Sequence, residues 1–570
     1  MKINGYEINF TESELDDILN NKTRVIEFIS PDFEGYEKLS ENDKKALLHL
    51  VKAAKIINDV ALEQDHFLNK TLKYALERTA MESSYAQKAL ELFNSLNGVA
   101  GFNGIDKEPI QIFKNVQMYK GKNFYPTDLS IEEFHQILLK MANRNKIDDI
   151  RKILSARTMV RRKDDELTAI DYTQYFSKEF SQVANELESA SKLCSDENFK
   201  QYLIWQAQAL LHDDEKLDMI ADKYWASLQD SDLEFTISRE NYEDDMTSSV
   251  YQNKELSEII EMHNIEVVAK DTLGCRVGIV NKPETEYILD SKKTLPHLMN
   301  WMPYNDKYEQ SLYNKEDLKQ TMVDADIVAL TGDYAMCRGG ITLAQNLPNN
   351  DKLSVKTGGG RRNVYHRQVR FGKDVKQELL DSLLAPEFHQ YIDVHKDMIF
   401  VIYHENGHSL GPKAEYQNAM GEYKHIIEEN KADVVSIASI SEIAKTFNMF
   451  SDEDVKKIYA SWIFSNLLLK AEPVYANPHR VASLIHFNYL TENKVIWFNE
   501  NNKLCIDFDK VSSTMYKLLE ETIELQLSKS VEKAEAFVKR WAYWGQYSKY
   551  VADIHQKVGI RPYIKIVTNF

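Results

Sequence analysis

The chain has 570 residues and a mass of 66.2 kDa, with 43% hydrophobic and 28% charged residues, which excludes disorder and fibrous repeats and leaves ample length for a buried core. Its 70 Lys and Arg against 88 Asp and Glu give a formal charge of −18. That balance disfavours a general binder of nucleic acid or anionic membrane, because such contacts rest on clustered basic side chains.

The N-terminal stretch Met1–Phe10 is followed by acidic residues and lacks the apolar run of a secretory leader, so no export is expected. Apolar residues then recur at helical spacing from Lys44 to about Leu228, as in Ala46–Ile57 and Phe199–Leu211, and this part reads as helices. Between about Ile265 and Arg370 short β-branched runs broken by Gly, Asn and Pro read as strands and loops: Ile265–Ala269, Cys275–Val280, Ile327–Leu330 and Lys352–Lys356. Arg361, Arg362 and Lys356 lie in a Gly-rich stretch that reads as a solvated basic loop. Helical periodicity returns after Gly372 and continues through Val455–Lys470, His479–Leu490, Val511–Leu527 and Val531–Trp544. Without repeats or Pro/Gly-rich linkers, two lobes sharing the chain discontinuously, with a cleft between them, are expected. Cys194, Cys275, Cys337 and Cys505 are too scattered for a disulfide framework or a thiolate zinc site, which points to a reducing compartment. The apolar run Met398–Tyr403 is too short for a bilayer, and a soluble cytoplasmic protein with no membrane or nucleic-acid partner is the expectation.

Chemistry concentrates in one place. His404-Glu-Asn-Gly-His408 is an HExxH pentapeptide within a helix predicted over 394–410. Histidines four apart lie one turn above each other on one helix face, so both can reach one Zn²⁺, and Glu405 is placed to act as general base on a water. After a loop over 411–421, a second predicted helix carries Glu428, Glu429 and Asp433. Glu429 and Asp433 share a face, so one carboxylate can bind zinc while the other orients a metal-bound histidine through its remaining N–H. The competing view makes these acids a solvated face and the two histidines polar residues at a helix end. HExxH followed about twenty residues later by ExxxD makes the metal site the stronger account.

These residues resemble the dipeptidyl peptidase III family of metallopeptidases, whose motifs are HExxGH and a downstream EECRAE or EECRAD helix. Here His404–His408 keeps the Gly before the second His but is one residue shorter, and Asn430-Lys431 replace Cys-Arg within Glu428–Asp433. Glu240-Asn-Tyr242-Glu-Asp244 is similar to the family's E-x-Y-x-D segment, Asn346-Leu-Pro-Asn349 to its N-x-P-N segment, and Gly360-Arg-Arg-Asn-Val364 to its G-[FY]-K-N-V stretch. The helix beginning His479-Arg-Val-Ala is similar to one carrying an active-site histidine. The resemblance spans about Arg239 to Leu490.

It implies an α+β, mostly helical fold of two lobes with a wide cleft: a helical zinc-bearing lobe opposite a mixed lobe with a small β-barrel. Residues 1–260 would form the mainly helical part of the mixed lobe and 261–370 the strands and substrate-binding loops. Residues 371–535 would form the zinc lobe, and 536–570 a segment packing back on the first lobe. It implies removal of dipeptides from the free N-terminus of short peptides with one Zn²⁺ per chain, by a monomer or homodimer. His404, His408 and Glu429 would be ligands, with Asp433 and Glu428 behind them. Glu405, Tyr242 and His479 would be catalytic, Tyr242 and His479 as donors to the scissile carbonyl and developing oxyanion. Glu240, Asn346 and Asn349 would accept from the substrate ammonium. Two rival functions remain at this stage, an internally cutting zinc endo- or oligopeptidase and a catalytically weak peptide-binding protein on a peptidase fold. A nucleophilic hydrolase is disfavoured, since there is no GxSxG elbow and no catalytic cysteine signature.

Overall fold

The computed structural model describes residues 1–105, 108–119, 121–212, 214–240, 244–310, 321–332, 344–347, 361–365 and 376–570. Two large apolar cores divide the chain into two lobes. One core draws on residues from Ile29 to Ile279 and again on Val328 and Ala329, and the other on residues from Leu295 to Val551. The chain therefore leaves the first core, enters the second and returns, which makes the lobes discontinuous in sequence.

In the first lobe the strand β1 (Thr23–Glu27) precedes the long helix α1 (Glu41–Asp65). Ser40 caps α1 by accepting from the Asp43 N–H, and its stripe of Ala46, Leu50, Ala53, Ala54 and Ile57 is fully buried. Helices α2 (Ser177–Ser191) and α3 (Glu197–His212) pack beside it. A five-stranded mixed sheet, half of a barrel, follows from β2 (Leu233–Glu240), β3 (Thr272–Val280), β4 (Thr321–Gly332), β5 (Ala344–Leu347) and β6 (Arg361–Val364). Its spatial order is β5-β6-β4-β3-β2, antiparallel throughout except for the parallel pair β4 and β6, with β5 and β2 at the edges. Every residue of β3 is buried because α1 covers one face, and this explains its near-continuous apolar run.

The second lobe is built from α4 (Asp397–His408), α5 (Lys424–Phe447), α6 (Pro478–Glu492) and α7 (Phe508–Ser528), with the helix Val531–Trp541 outside them. The lobes meet where Met398 and Ile402 of α4 join Ile288, Met322 and Val364 in a small apolar cluster. The chain then returns to the first lobe. Strand β7 (Tyr563–Val567) pairs parallel with β1, and the Phe570 carbonyl accepts from Lys55 Nζ at 2.9 Å.

Several sequence expectations are corrected. Ile265–Ala269 is not a strand. Ile265 and Val267 pack on the core, but the backbone N–H groups of Ile265 and Val268 bond to carbonyls at helix ends, those of Ile260 and Leu154. The hairpin Thr158–Lys163 with Glu166–Asp171 interrupts the stretch read as helical. Arg361 is not part of a solvated loop: it is fully buried, 2.7 Å from Glu234 Oε2, and its guanidinium also bonds the Asn363 side chain. The other oxygen of Glu234 accepts from Trp225, Thr236 and Asn363, so the pair sits in a satisfied polar network inside the sheet. The expected strand Lys352–Lys356 lies outside the described residues. Among the described residues, no helix is long and apolar enough to cross a membrane.

Candidate metal centre

The helix α4 starts at Asp397, preceded by a 3-10 turn over Val394–Lys396, so the expected helix is shorter at both ends. Met398–Tyr403 are all buried, which holds α4 in the lobe's core and leaves its last turn to carry the polar residues. The loop to α5 includes the short helix Ala414–Asn418, and α4 then faces α5 along its length. Gly407 allows this contact. A Cβ there would lie 2.8 Å from the Ala432 carbonyl oxygen and 2.9 Å from its Cα.

Each histidine is held from behind by a carboxylate. His404 donates Nδ1–H to Asp433 Oδ1 at 2.6 Å, and His408 donates Nδ1–H to Glu428 Oε1 at 3.0 Å. Both Nε2 atoms are thereby presented forward. They lie 3.2 Å apart, and Glu429 Oε2 is 3.4 Å from that of His404 and 3.6 Å from that of His408. A tetrahedral zinc with bonds of 2.0–2.1 Å spaces its ligand atoms about 3.3–3.4 Å apart, so this triangle has the dimensions of one face of such a site. Glu429 Oε2 is also buried without a hydrogen bond, although three imidazole rings surround it. Two forward lone pairs and a buried carboxylate oxygen at these distances call for a cation between them. The residues present fit a zinc ion.

The carboxylates around the cluster favour positive charge at its centre. Burial opposes a charge on His404, yet the hydrogen bond to Asp433 and the charges of Asp433 and Glu429 outweigh it and hold its pKa well above the ordinary value. Burial would raise the Glu429 pKa, but the charges of His479 and His408 and the close imidazole rings of His404 and His479 hold it well below the usual carboxylate range. Glu428 is likewise lowered against its burial, chiefly by Lys431, whose Nζ is 2.8 Å from Glu428 Oε1, and by His408. Lys431 is itself buried, so the Lys that departs from the family pattern still puts a cation behind Glu428.

The structure also brings His479 to this cluster. It is the second residue of α6, its ring is exposed, and its Nδ1 is 3.2 Å from Glu429 Oε2. The ligand atoms of His404, Glu429 and His479 all lie within 4.8 Å of one another. The charge of Glu429 raises the His479 pKa. Unlike the rings of His404 and His408, it has no further carboxylate in contact behind it among the described residues. Glu405 is half-buried on α4 between the two histidines. Glu240 ends β2 and Asn346 lies in β5, which packs against α4, but only their backbones are described. Tyr242 and Asn349 lie outside the described residues.

Sequence reasoning missed His486, Asn430 and Thr522, which stand behind Asp433. His486 is fully buried on α6, bonded through Nε2 to Asn430 Oδ1 at 3.0 Å, with Nδ1 3.8 Å from Asp433 Oδ2. Burial pushes its pKa down to about 4. It falls seven residues after His479, two turns along the same helix face, and that spacing was the available signal.

No protein-family model matches the chain. Among curated proteins, Nudix hydrolase 3 of Arabidopsis thaliana is 22% identical over 544 residues, covering 86% of this chain. The chain spans 66% of that protein's length. Among solved structures, DPP III from Caldithrix abyssi superposes with a TM-score of 0.79 at 22% identity over 98% of both chains. Dipeptidyl-peptidase III from Corallococcus sp. strain EGB superposes with a TM-score of 0.72 at 18% identity, over 98% of this chain and 97% of the other. The chain therefore has the fold of dipeptidyl peptidase III.

Proposed function

We propose that this chain is a zinc metallopeptidase of the dipeptidyl peptidase III family, removing dipeptides from the free N-terminus of short peptides. The observation that carries the reading is the triangle of His404 Nε2, His408 Nε2 and Glu429 Oε2, with both rings backed by carboxylates, on that fold. When bound there, zinc supplies Lewis-acid polarisation of a carbonyl oxygen and lowers the pKa of water.

The residues supply the rest. Glu405 takes a proton from the attacking water and passes it to the departing amine nitrogen, so the peptide bond breaks into a carboxylate and an amine. His479 and Tyr242 donate hydrogen bonds to the oxygen on which negative charge develops. Glu240, Asn346 and Asn349 accept from the substrate ammonium, which sets the cut two residues from the free end. The packing of β5 against α4 supports this role for Asn346, because it brings the strand beside the histidine-bearing helix. The substrates are short peptides met in the cytoplasm.

Mass spectrometry of products tests the reading, using zinc-loaded protein on a short peptide in free and N-acetylated forms, with Glu405→Ala as control. Stepwise loss of dipeptides from the free form alone, absent in the variant, is expected. Internal cuts in both forms would replace it with an endopeptidase, and zinc binding without any cleavage would replace it with a peptide-binding protein.

A further inference from the structure

Behind the histidines, one polar thread crosses three helices, and its direction can be read from its last link. Thr522 on α7 donates Oγ1–H to the Leu518 carbonyl at 2.7 Å, so its oxygen is left to accept from Asn430 Nδ2 on α5 at 2.8 Å. The Asn430 amide thus turns its Oδ1 toward α6, where His486 Nε2 lies at 3.0 Å and must be the donor. Placing the proton on Nε2 leaves Nδ1 of the neutral ring as a bare acceptor. That atom is buried, makes no hydrogen bond, and faces Asp433 Oδ2 at 3.8 Å. Thr522, Asn430 and His486 are all fully buried, so water does not substitute for these partners. The ring also packs on Trp462, with centroids 5.8 Å apart, and Trp462 leans on Phe400, which borders His404.

The consequence falls on Asp433. Had His486 carried its proton on Nδ1, it would compete with His404 for the same carboxylate. A donor at Oδ2 would draw charge away from the 2.6 Å bond at Oδ1 that orients His404 and makes its ring a better ligand. We infer that His486 is a positioning residue of the metal centre: Asn430 and Thr522 hold it in the Nε2–H tautomer, and this reserves Asp433 for His404. The inference rests on the reading of the cluster as a metal centre. It also accounts for Asn430, where the family pattern has Cys: a thiol cannot accept from one partner while donating as strongly to another.

The test uses the full chain, with Zn²⁺ affinity measured by chelator competition and the visible absorption of the Co²⁺-loaded protein as a probe of ligand geometry. His486→Leu and Thr522→Val are compared with wild type and with Thr522→Ser, which keeps the hydroxyl. Each of the first two is expected to weaken Zn²⁺ binding roughly tenfold and to shift the Co²⁺ spectrum, with Thr522→Ser restoring both. Thr522→Val is nearly isosteric and three links from Asp433, so it carries the test if His486→Leu does not fold. Proton–nitrogen correlation spectra of the imidazole should place the His486 proton on Nε2 in the wild type. A proton on Nδ1, or wild-type zinc affinity and Co²⁺ spectrum in folded His486→Leu and Thr522→Val, would overturn the inference while leaving the metal centre intact. A wild-type chain that binds no zinc would overturn both.

Discussion

Arg239, the residue before Glu240, is tied to Asp218 at 2.8 Å, and Asp218 is tied in turn to Arg157 at 2.7 Å. Asp222 lies one helical turn on from Asp218, and its burial, with Asp218 adding and Arg239 opposing, raises its pKa to about 6. A carboxyl raised in the fold binds its proton more tightly there than in the unfolded chain. Its contribution is present below about pH 4 and is lost as pH rises through about 6. Asp222→Asn should therefore gain about 2–3 kcal/mol over wild type between pH 4 and pH 7.5, because each tenfold change in proton affinity is worth about 1.4 kcal/mol. Urea unfolding at the two pH values checks this, and a pH-independent difference would contradict it. At this scale His404 with His408 and Glu429 with Asp433 could be singled out because helical spacing alone places each pair on one face, whereas Glu428 came only through the family resemblance. His486 and Thr522 could not be tied to Asp433 in that way, since they reach it from other helices and only tertiary packing joins them.

The separation of α4 and α5 sets the distances between the two histidines and Glu429, and Gly407 permits that separation. Gly407→Ala would force its Cβ against the Ala432 backbone, which cannot yield as a flexible side chain would. The expected result is a loss of about 1–3 kcal/mol in stability together with weaker zinc binding. Denaturant melts and chelator competition measure the two, and wild-type values for both would show that the helices tolerate a wider spacing. The helices themselves were legible from periodicity, because α1, α3, α4, α5, α6 and α7 each carry long runs of buried apolar residues. The strands were less so. β3 and β4 are buried runs recognisable by β-branched content, whereas β2 carries Glu234, Ser238 and Arg239, whose polarity hides a strand in which both charges are paired.

At the scale of the whole molecule, the histidine cluster belongs to the second core, while the strand bearing Asn346 belongs to the sheet of the first lobe. Composition could suggest two lobes because no linker divides the chain. It could not show that β7 returns to pair with β1, since a five-residue strand at the end of a helical region gives too little signal. Nor could it show that β5 lies against α4, a contact made between residues at least 50 apart in sequence. The proposed peptidase activity depends on the cluster being a metal centre, and metal analysis by mass spectrometry after zinc loading and dialysis tests that most directly. About one zinc per chain is predicted for wild type, Glu405→Ala and His479→Ala, and almost none for Glu429→Ala. A wild-type chain without zinc, or a Glu429→Ala chain holding as much as wild type, would contradict it.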